Sequence, residues 1–94
     1  MIRNQDKLIR LLHALFPGVK VYLFGSRARG THSVTSDVDI ALDTGSRLSF
    51  LELAQAKNVA EALNIPQTID IVDLNRVPEE MKKIILQEGI LWTT

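Results

Sequence analysis

The spacing of apolar residues changes several times along the chain, and each change predicts a new helix or strand. In the first third, four leucines between positions 8 and 15 recur at helical spacing after Asn4, a candidate N-cap, until Pro17-Gly18 ends the run. Residues 19–24 are rich in β-forming side chains and predict a first strand. Residues 37–43 alternate, which predicts a second strand with one apolar and one acidic face.

The second half of the chain predicts two more helices with a strand between them. Ser49-Phe50-Leu51-Glu52 has the form of a capping box, and an apolar stripe continues from it through Phe50, Leu53, Ala56, Ala60 and Leu63. Residues 68–72 predict a third strand. Pro78 suits the first turn of a last helix that ends at Gly89 and buries a stripe of Met81, Ile84 and Ile85. The apolar tail, residues 90–92, is expected to pack against the rest of the protein.

The lengths of the connections predict how the strands pair. The stretch between Gly30 and the second strand is too short for a parallel crossover, so the first two strands are expected to be antiparallel neighbours. The connection to the third strand contains a helix, which leaves room for a right-handed parallel crossover. We therefore predict an α/β (α+β) fold with a small mixed three-stranded sheet, in which Asp70 lies at the same sheet edge as Asp37 and Asp39.

Composition narrows the class of protein. With 94 residues the chain can bury one core, so a single domain over residues 1–94 is expected. There is no cysteine, which excludes disulfides, thiolate zinc sites and cysteine nucleophiles. No apolar run reaches the ~18–20 residues of a membrane span, and the N-terminus lacks a signal peptide's apolar region, so a cytoplasmic protein without a membrane partner is expected. The net charge is zero, which makes nucleic acid an unlikely direct partner.

The zero net charge conceals a division along the chain. Residues 1–36 carry six basic residues and one acidic residue, whereas residues 37–94 carry five basic and ten acidic ones. Three of those carboxylates, on Asp37, Asp39 and Asp70, converge in the predicted fold. Such a cluster is unfavourable unless a cation neutralises it, and oxygen ligands alone select Mg²⁺ or Mn²⁺. The alternative is that Asp37 and Asp39 simply face solvent from an amphipathic strand.

A Gly-Ser turn precedes the acidic strand. Gly25 would let a phosphate approach the backbone, Ser26 offers a hydroxyl, and Arg27 and Arg29 add charged donors. By itself this is a common structural turn, and the absence of Gly-Lys-Ser/Thr argues against a P-loop enzyme. The combination with the carboxylates is more specific.

The segment Gly25-Ser26-Arg27-Ala28-Arg29-Gly30, followed by Ser36-Asp37-Val38-Asp39 and by Asp70 within Ile69-Asp70-Ile71, resembles the nucleotidyltransferase superfamily that includes DNA polymerase β, specifically its minimal nucleotidyltransferase (MNT) branch. The resemblance covers essentially the whole chain and implies transfer of AMP from ATP to a hydroxyl. It implies that Asp37 and Asp39 ligate the metal ions and that Asp70 completes the second metal site and helps activate the hydroxyl. It also implies that Gly25 and Ser26 hold the β- and γ-phosphates.

Six other polar residues lie close enough in the sequence or the predicted fold to be considered for the site. Arg27 is interpreted as a further phosphate contact, and Arg29 either as another or as a structural ion pair with a site carboxylate. Asp43 lies farther along the strand and is interpreted as peripheral, and Asp73 as a cap or surface residue. His13 is expected at the surface, whereas His32 could approach the nucleotide. Tyr22 and Phe24 are expected in the core.

The resemblance also suggests a partner. MNT proteins are commonly encoded with HEPN-type helical proteins, often as antitoxins, and some transfer AMP to a tyrosine of that partner. Because this chain shows no obvious platform for its acceptor, the hypothesis is an antitoxin that binds and adenylylates a HEPN-type toxin. Two alternatives stay open: neutralisation of the toxin by occlusion with an inactive site, or transfer to a small molecule or an RNA end.

Overall fold

Helices and strands alternate along the chain in the computed structural model, which describes residues 2–92. The elements in chain order are α1 (Gln5–Leu15), β1 (Lys20–Phe24), α2 (Ser26–Arg29), β2 (Val38–Asp43), α3 (Phe50–Ala62), β3 (Ile69–Asp73), α4 (Glu79–Glu88) and β4 (Ile90–Leu91). The predicted mixed α/β architecture is confirmed. No helix within the described part of the chain is long and apolar enough to cross a membrane.

The strands form one sheet in the order β3-β2-β1-β4. β1 and β2 are antiparallel, and β2 and β3 are parallel, as the connection lengths predict. The sheet has a fourth strand rather than the predicted three, because the tail adds β4 antiparallel to β1. The tail packs as expected, and the Trp92 N–H donates to the Val21 carbonyl at 2.7 Å. A two-residue strand is too short to show an alternating pattern, so the sequence could not reveal it.

Apolar side chains pack against both faces of the sheet, in a larger cluster on one face and a smaller cluster on the other. Leu8 and Leu12 of α1 and Ala56 of α3 join the larger apolar cluster with Val21 and Ile40. On the opposite face, Ala41, Leu74 and Ile85 form a smaller cluster, which Tyr22, Phe24 and Met81 border. The predicted acidic face of β2 is therefore apolar at its centre, where Ala41 is fully buried, and polar toward Asp39.

The helix stripes are predicted correctly except at Leu11, Phe50 and Ile84, which are exposed. The Ser49 and Glu52 capping box forms with both of its hydrogen bonds. Phe50 is 85% exposed, however, because it starts the helix before α3 reaches the sheet, and its ring lies under the Arg76 guanidinium. Ile84 is half exposed, since Ile85 takes the buried position beside it.

Asn4 precedes α1 as predicted but does not cap it with its side chain. Its backbone is left-handed, with φ 62°, and no hydrogen bond joins its side chain to the first turn. Instead its Nδ2 donates to the Leu63 carbonyl at the end of α3, at 2.7 Å. The side chain thus joins the start of one helix to the end of another, a long-range contact that local capping rules do not predict.

Asp73 is a buried cap rather than a surface residue. It is 2% exposed, and its Oδ2 accepts the Leu48 N–H at 2.7 Å while its Oδ1 accepts the Asn75 N–H at 3.0 Å. The Arg76 Nε lies 3.9 Å from Oδ2. This carboxylate fixes the loop before α3 to the end of β3, and it does not compete with Asp70 for the site.

We expect Asp73→Ala to lower the free energy of unfolding by about 1–3 kcal/mol, because it leaves one buried and one partly buried N–H group without an acceptor. Urea denaturation measures the change. Glu61→Ala, which removes an exposed carboxylate from α3, is the matched control and should change stability little. Equal midpoints for the two variants would contradict the capping role.

Candidate functional site

The candidate site lies where β1 ends and β2 and β3 begin. Phe24, the last residue of β1, is opposite Asp39 in the antiparallel pair. Asp39 is in turn beside Asp70 in the parallel pair. Paired strands lie about 4.8 Å apart. The turn at Gly25 and the two carboxylates therefore lie on consecutive strands, at the same end of the sheet. The predicted convergence of these residues is what the fold displays.

Gly25 brings the backbone of the turn directly against the Asp39 side chain. Its φ of 75° and ψ of −153° fall in a region that essentially only glycine adopts. A Cβ at this position would overlap the Asp39 Oδ2 atom. Glycine is therefore required at this position for two reasons, the conformation of the turn and its close approach to a carboxylate.

The carboxylates of Asp37 and Asp70 interact electrostatically with that of Asp39. Burial raises the pKa of Asp39, the charges of Asp70 and Asp37 raise it further, and the Arg29 guanidinium acts in the opposite direction. Asp39 is half-buried, whereas Asp37 and Asp70 are exposed. Repulsion of this kind is relieved by a bound cation.

These side chains suit a divalent ion by their chemistry but do not form a finished cage. Within residues 2–92, no three histidine or acidic side chains form a group that would hold a metal ion as they stand. Asp37 and Asp70 are nevertheless exposed, and the charges of both act on Asp39. Their oxygen atoms are the hard ligands that Mg²⁺ and Mn²⁺ select. The donor set therefore fits such an ion by its chemistry.

Arg27 holds the loop that leads into the acidic strand. Its guanidinium donates to the carbonyls of Ser36, Val34 and Ser33 at 3.1–3.5 Å. This contact orders the segment immediately before Asp37. Sequence reasoning missed this role, because backbone carbonyls as acceptors leave no signal in the residue pattern. A phosphate contact for Arg27 stays a prediction.

Arg29 forms its ion pair outside the site. Its Nη1 lies 3.5 Å from Glu88 Oε2 on α4, with both side chains about half exposed. The partner is thus not a site carboxylate, although Arg29 still influences Asp39 electrostatically. A phosphate contact for Arg29, like those for Gly25 and Ser26, stays a prediction.

Three further residues can be placed relative to the site. Asp43 accepts hydrogen bonds from Asn75 Nδ2 and the Gly45 N–H, both at 2.9 Å, so it is committed to the neighbouring loops. Burial acts to raise the pKa of Asp43, but these hydrogen bonds, together with the charges of Lys20 and Lys82, outweigh it and lower the pKa. His13 is half-buried on α1, and His32 lines a small cavity of about 170 Å³ together with Trp92.

Comparison with known families identifies the family of this chain. The family model "Polymerase beta, Nucleotidyltransferase" matches residues 6–93, which include all the carboxylates and the Gly-Ser turn. The chain belongs to the polymerase β nucleotidyltransferase family. The family resemblance stated from the motifs is thereby confirmed.

Relatives of this nucleotidyltransferase chain are similar over nearly all of its length. Protein adenylyltransferase MntA of Shewanella oneidensis is 36% identical over 96 residues, covering 97% of this chain and 66% of the relative. The chain thus spans just under two thirds of that protein. A crystal structure of a toxin-antitoxin with AMP-PNP contains a chain 31% identical, with a TM-score of 0.77, covering 97% of this chain and 74% of that one.

A second solved structure adds a modified partner to the comparison. In it, a tri-AMPylated Shewanella oneidensis HEPN toxin is in complex with an MNT antitoxin. The matched chain is 28% identical with a TM-score of 0.70, covering 97% of this chain and 71% of that one. The fold of this nucleotidyltransferase chain is therefore one that occurs in toxin-antitoxin complexes.

The raised pKa of Asp39 predicts a pH-dependent effect on stability. Because the folded state favours the protonated carboxyl, Asp39 stabilises the fold at acidic pH, and this contribution is lost as the pH rises through its folded pKa. Without metal, Asp39→Asn should therefore unfold at a higher temperature than wild type at about pH 7, and the difference should shrink toward about pH 4.

Thermal unfolding in EDTA across this pH range measures the difference. Subtracting the two proteins cancels the opposite contribution of Asp43, whose pKa is lowered. Mg²⁺ should raise the Tm of wild type near neutral pH and leave that of Asp39→Asn nearly unchanged. A pH-independent difference between the two proteins would contradict this account of the carboxylate cluster.

Proposed function

We propose that this chain transfers AMP from Mg²⁺-bound ATP to a hydroxyl group of a protein. The observation that carries the proposal is the contact of Gly25 with Asp39, while Asp70 flanks Asp39 in register on the next strand. The turn that we propose to bind phosphate and a pair of carboxylates thereby meet at one end of the sheet. The family membership supports this interpretation.

The proposed roles follow the order of the strands. Gly25 and Ser26 hold the β- and γ-phosphates through the backbone and hydroxyl of the turn, and Arg27 keeps the loop before Asp37 in place. Asp37 and Asp39 hold the divalent ions, and Asp70 completes the second position. Bound in pairs, such ions neutralise charge on the attacking and leaving oxygens of an in-line displacement.

The proposed reaction forms one bond and breaks one. The acceptor oxygen bonds to the α-phosphorus, the bond from that phosphorus to the bridging oxygen breaks, and pyrophosphate leaves. Asp70 is the exposed carboxylate of the cluster on the side away from Gly25, and this position supports its proposed role of taking the hydroxyl proton. Asp39, half-buried beneath the turn, serves as the fixed ligand.

The proposed acceptor is a tyrosine of a HEPN-type toxin, which makes this chain the antitoxin. The similarity to a protein adenylyltransferase and to a chain in complex with an AMPylated HEPN toxin supports this partner. ATP is the proposed nucleotide, since a similar toxin-antitoxin was crystallised with AMP-PNP. The proposed place of the reaction is the cytoplasm, where ATP is available.

Mass spectrometry of a co-expressed partner tests the proposal. A HEPN-type protein co-expressed with this chain should carry covalent AMP after incubation with ATP and Mg²⁺, and the adduct should disappear with Asp39→Ala. Asp6→Ala, an exposed change on α1, should preserve it. An unmodified partner in the presence of wild-type chain, ATP and Mg²⁺ would count heavily against the transferase.

A second candidate is an antitoxin that acts by occlusion alone. It is favoured by one observation, that within residues 2–92 no three potential ligands are already arranged around a metal position. In a toxicity assay, the double variant Asp37→Asn, Asp39→Asn would then rescue growth as well as wild type does. Loss of rescue by a double variant that still folds and binds the toxin would exclude this candidate.

A further inference from the structure

Gln67, in the connection between α3 and β3, contacts the loop that precedes Asp37. Its Nε2 donates to the Val34 carbonyl at 3.2 Å, across 33 residues of sequence. The carbonyl of the next residue, Thr68, accepts the Val38 N–H at 2.9 Å. Two consecutive residues therefore hold the segment on both sides of Asp37.

Val34 lies within an ordered turn. The Ser36 N–H donates to the Ser33 carbonyl at 3.2 Å, and the Ser33 N–H donates to Ser36 Oγ at 2.9 Å. Arg27 donates to the same Val34 carbonyl at 3.3 Å from the side of α2. The turn is thus tied to α2 on one side and, through Gln67, to the connection that leads into β3 on the other.

The Gln67 amide has an unfavourable feature. Its Oε1 is buried and has no hydrogen-bond partner within residues 2–92. A carbonyl only accepts, so the amide must turn its nitrogen toward Val34, and its oxygen is left buried. Buried polar atoms without a partner are rare, because each loses its hydrogen bonds to water. An apolar side chain of similar length would fill this position without that cost, so what the amide adds is the nitrogen at Val34.

Repulsion between the carboxylates explains why this loop needs a second attachment. The charges of Asp37 and Asp70 both act on Asp39, and like charges repel one another. Asp37 is exposed and lies just before β2, so the loop rather than the sheet determines its position. Metal ligands keep their geometry only when contacts outside the ligand set hold them in place.

We propose that Gln67 is a positioning residue of the divalent-ion site, which holds Asp37 close to the carboxylates of β2 and β3. The proposal rests on the proposed function, in which these carboxylates bind the ions. Gln67 acts through the backbone, because its Nε2 fixes Val34 and the turn carries that constraint to Asp37. The residues that determine metal affinity thereby include one outside the Gly-Ser and Asp motifs.

Gln67→Met separates this role from a general contribution to folding. The methionine lacks the donor and also removes the unpaired Oε1, while the Val34 carbonyl keeps its bond from Arg27. Its Tm should therefore equal or exceed that of wild type. The Kd for Mn²⁺ should rise about two- to tenfold, the range that one hydrogen bond contributes. Gln55→Met, the same change at an exposed position on α3, is the matched control and should alter neither quantity.

Three measurements follow these effects. Electron paramagnetic resonance of free Mn²⁺, titrated as the metal alone, gives the Kd, and thermal unfolding in EDTA gives the Tm. Hydrogen exchange of the metal-free proteins adds a readout that does not depend on any ion, because the Ser33 and Ser36 amides should exchange faster in Gln67→Met. Gln67→Leu, which also lacks a donor, should behave in the same way.

The outcomes separate this inference from the proposed function. Wild-type protein that binds no Mn²⁺ would contradict the proposed function and the inference with it. Equal Kd values for Mn²⁺ in wild type and Gln67→Met would overturn the role of Gln67 and leave the function intact. A lowered Tm in Gln67→Met would mean that the amide serves folding in general, which would also overturn the positioning role.

Discussion

Replacement of Asp39 by alanine is expected to lower AMP transfer by about a thousandfold or more, which corresponds to ~4 kcal/mol of transition-state stabilisation. Asp39 is the half-buried carboxylate of the cluster, it contacts the Gly25 turn, and it lies beside Asp70. Under the proposed function, its loss removes a metal ligand at the point where phosphate and acceptor would meet. Single-turnover kinetics with radiolabelled ATP measures the effect apart from product release.

The matched control for this variant is Asp43→Asn. Asp43 is on the same strand and the same face, but its carboxylate accepts hydrogen bonds from Asn75 and Gly45, and an asparagine can still accept them. Turnover should therefore stay close to that of wild type. A comparable loss in both variants would indicate that activity depends on the overall acidity of β2, which would remove the special role of Asp39.

The part of the site that could be predicted from the sequence is the part that depends on strand pairing. The short loop before Asp37 requires an antiparallel pair, and the helical connection before Asp70 permits a parallel one. Those two constraints bring Asp39 between Phe24 and Asp70, as the register shows. Position in the sheet follows from connection length and alternation, both of which are local properties of the chain.

The contacts that could not be predicted join residues to backbone groups or to distant elements. The sequence predicts a phosphate contact for Arg27, whereas in the structure its guanidinium donates to three loop carbonyls. Because every residue has a backbone carbonyl, the residue pattern gives no sign of such a contact. By alternation Asp73 shares a face with Ile69 and Ile71 of β3, but only its hydrogen bonds with the Leu48 and Asn75 N–H groups explain why a carboxylate is buried there.

Gly25→Ala should impair folding and catalysis together. The variant must adopt φ 75° and ψ −153°, a conformation that costs a residue with a side chain about 1–3 kcal/mol, and its Cβ would overlap Asp39 Oδ2. Displacement of the carboxylate by about 1 Å would lower turnover by roughly a hundredfold. Urea denaturation and single-turnover kinetics measure the two effects. A Gly25→Ala protein with wild-type turnover would refute the close contact as a catalytic feature.

Gly30→Ala separates backbone strain from displacement of Asp39. Gly30 has a φ of 76° in the left-handed region, but a Cβ there meets nothing within 4 Å. That variant should lose about 1–2 kcal/mol of stability and keep its turnover once folded.

A double-mutant cycle then isolates the overlap at Gly25. In an Asp39→Ala background the clashing oxygen is absent and only the Asp39 Cβ remains, at 3.5 Å, which is ordinary contact. Gly25→Ala should therefore destabilise this background less than wild type, with a coupling of about 0.5–3 kcal/mol. The residual cost is the strain of the turn alone. Equal costs in both backgrounds would mean that the conformation of the turn, and not its approach to the carboxylate, is what requires glycine.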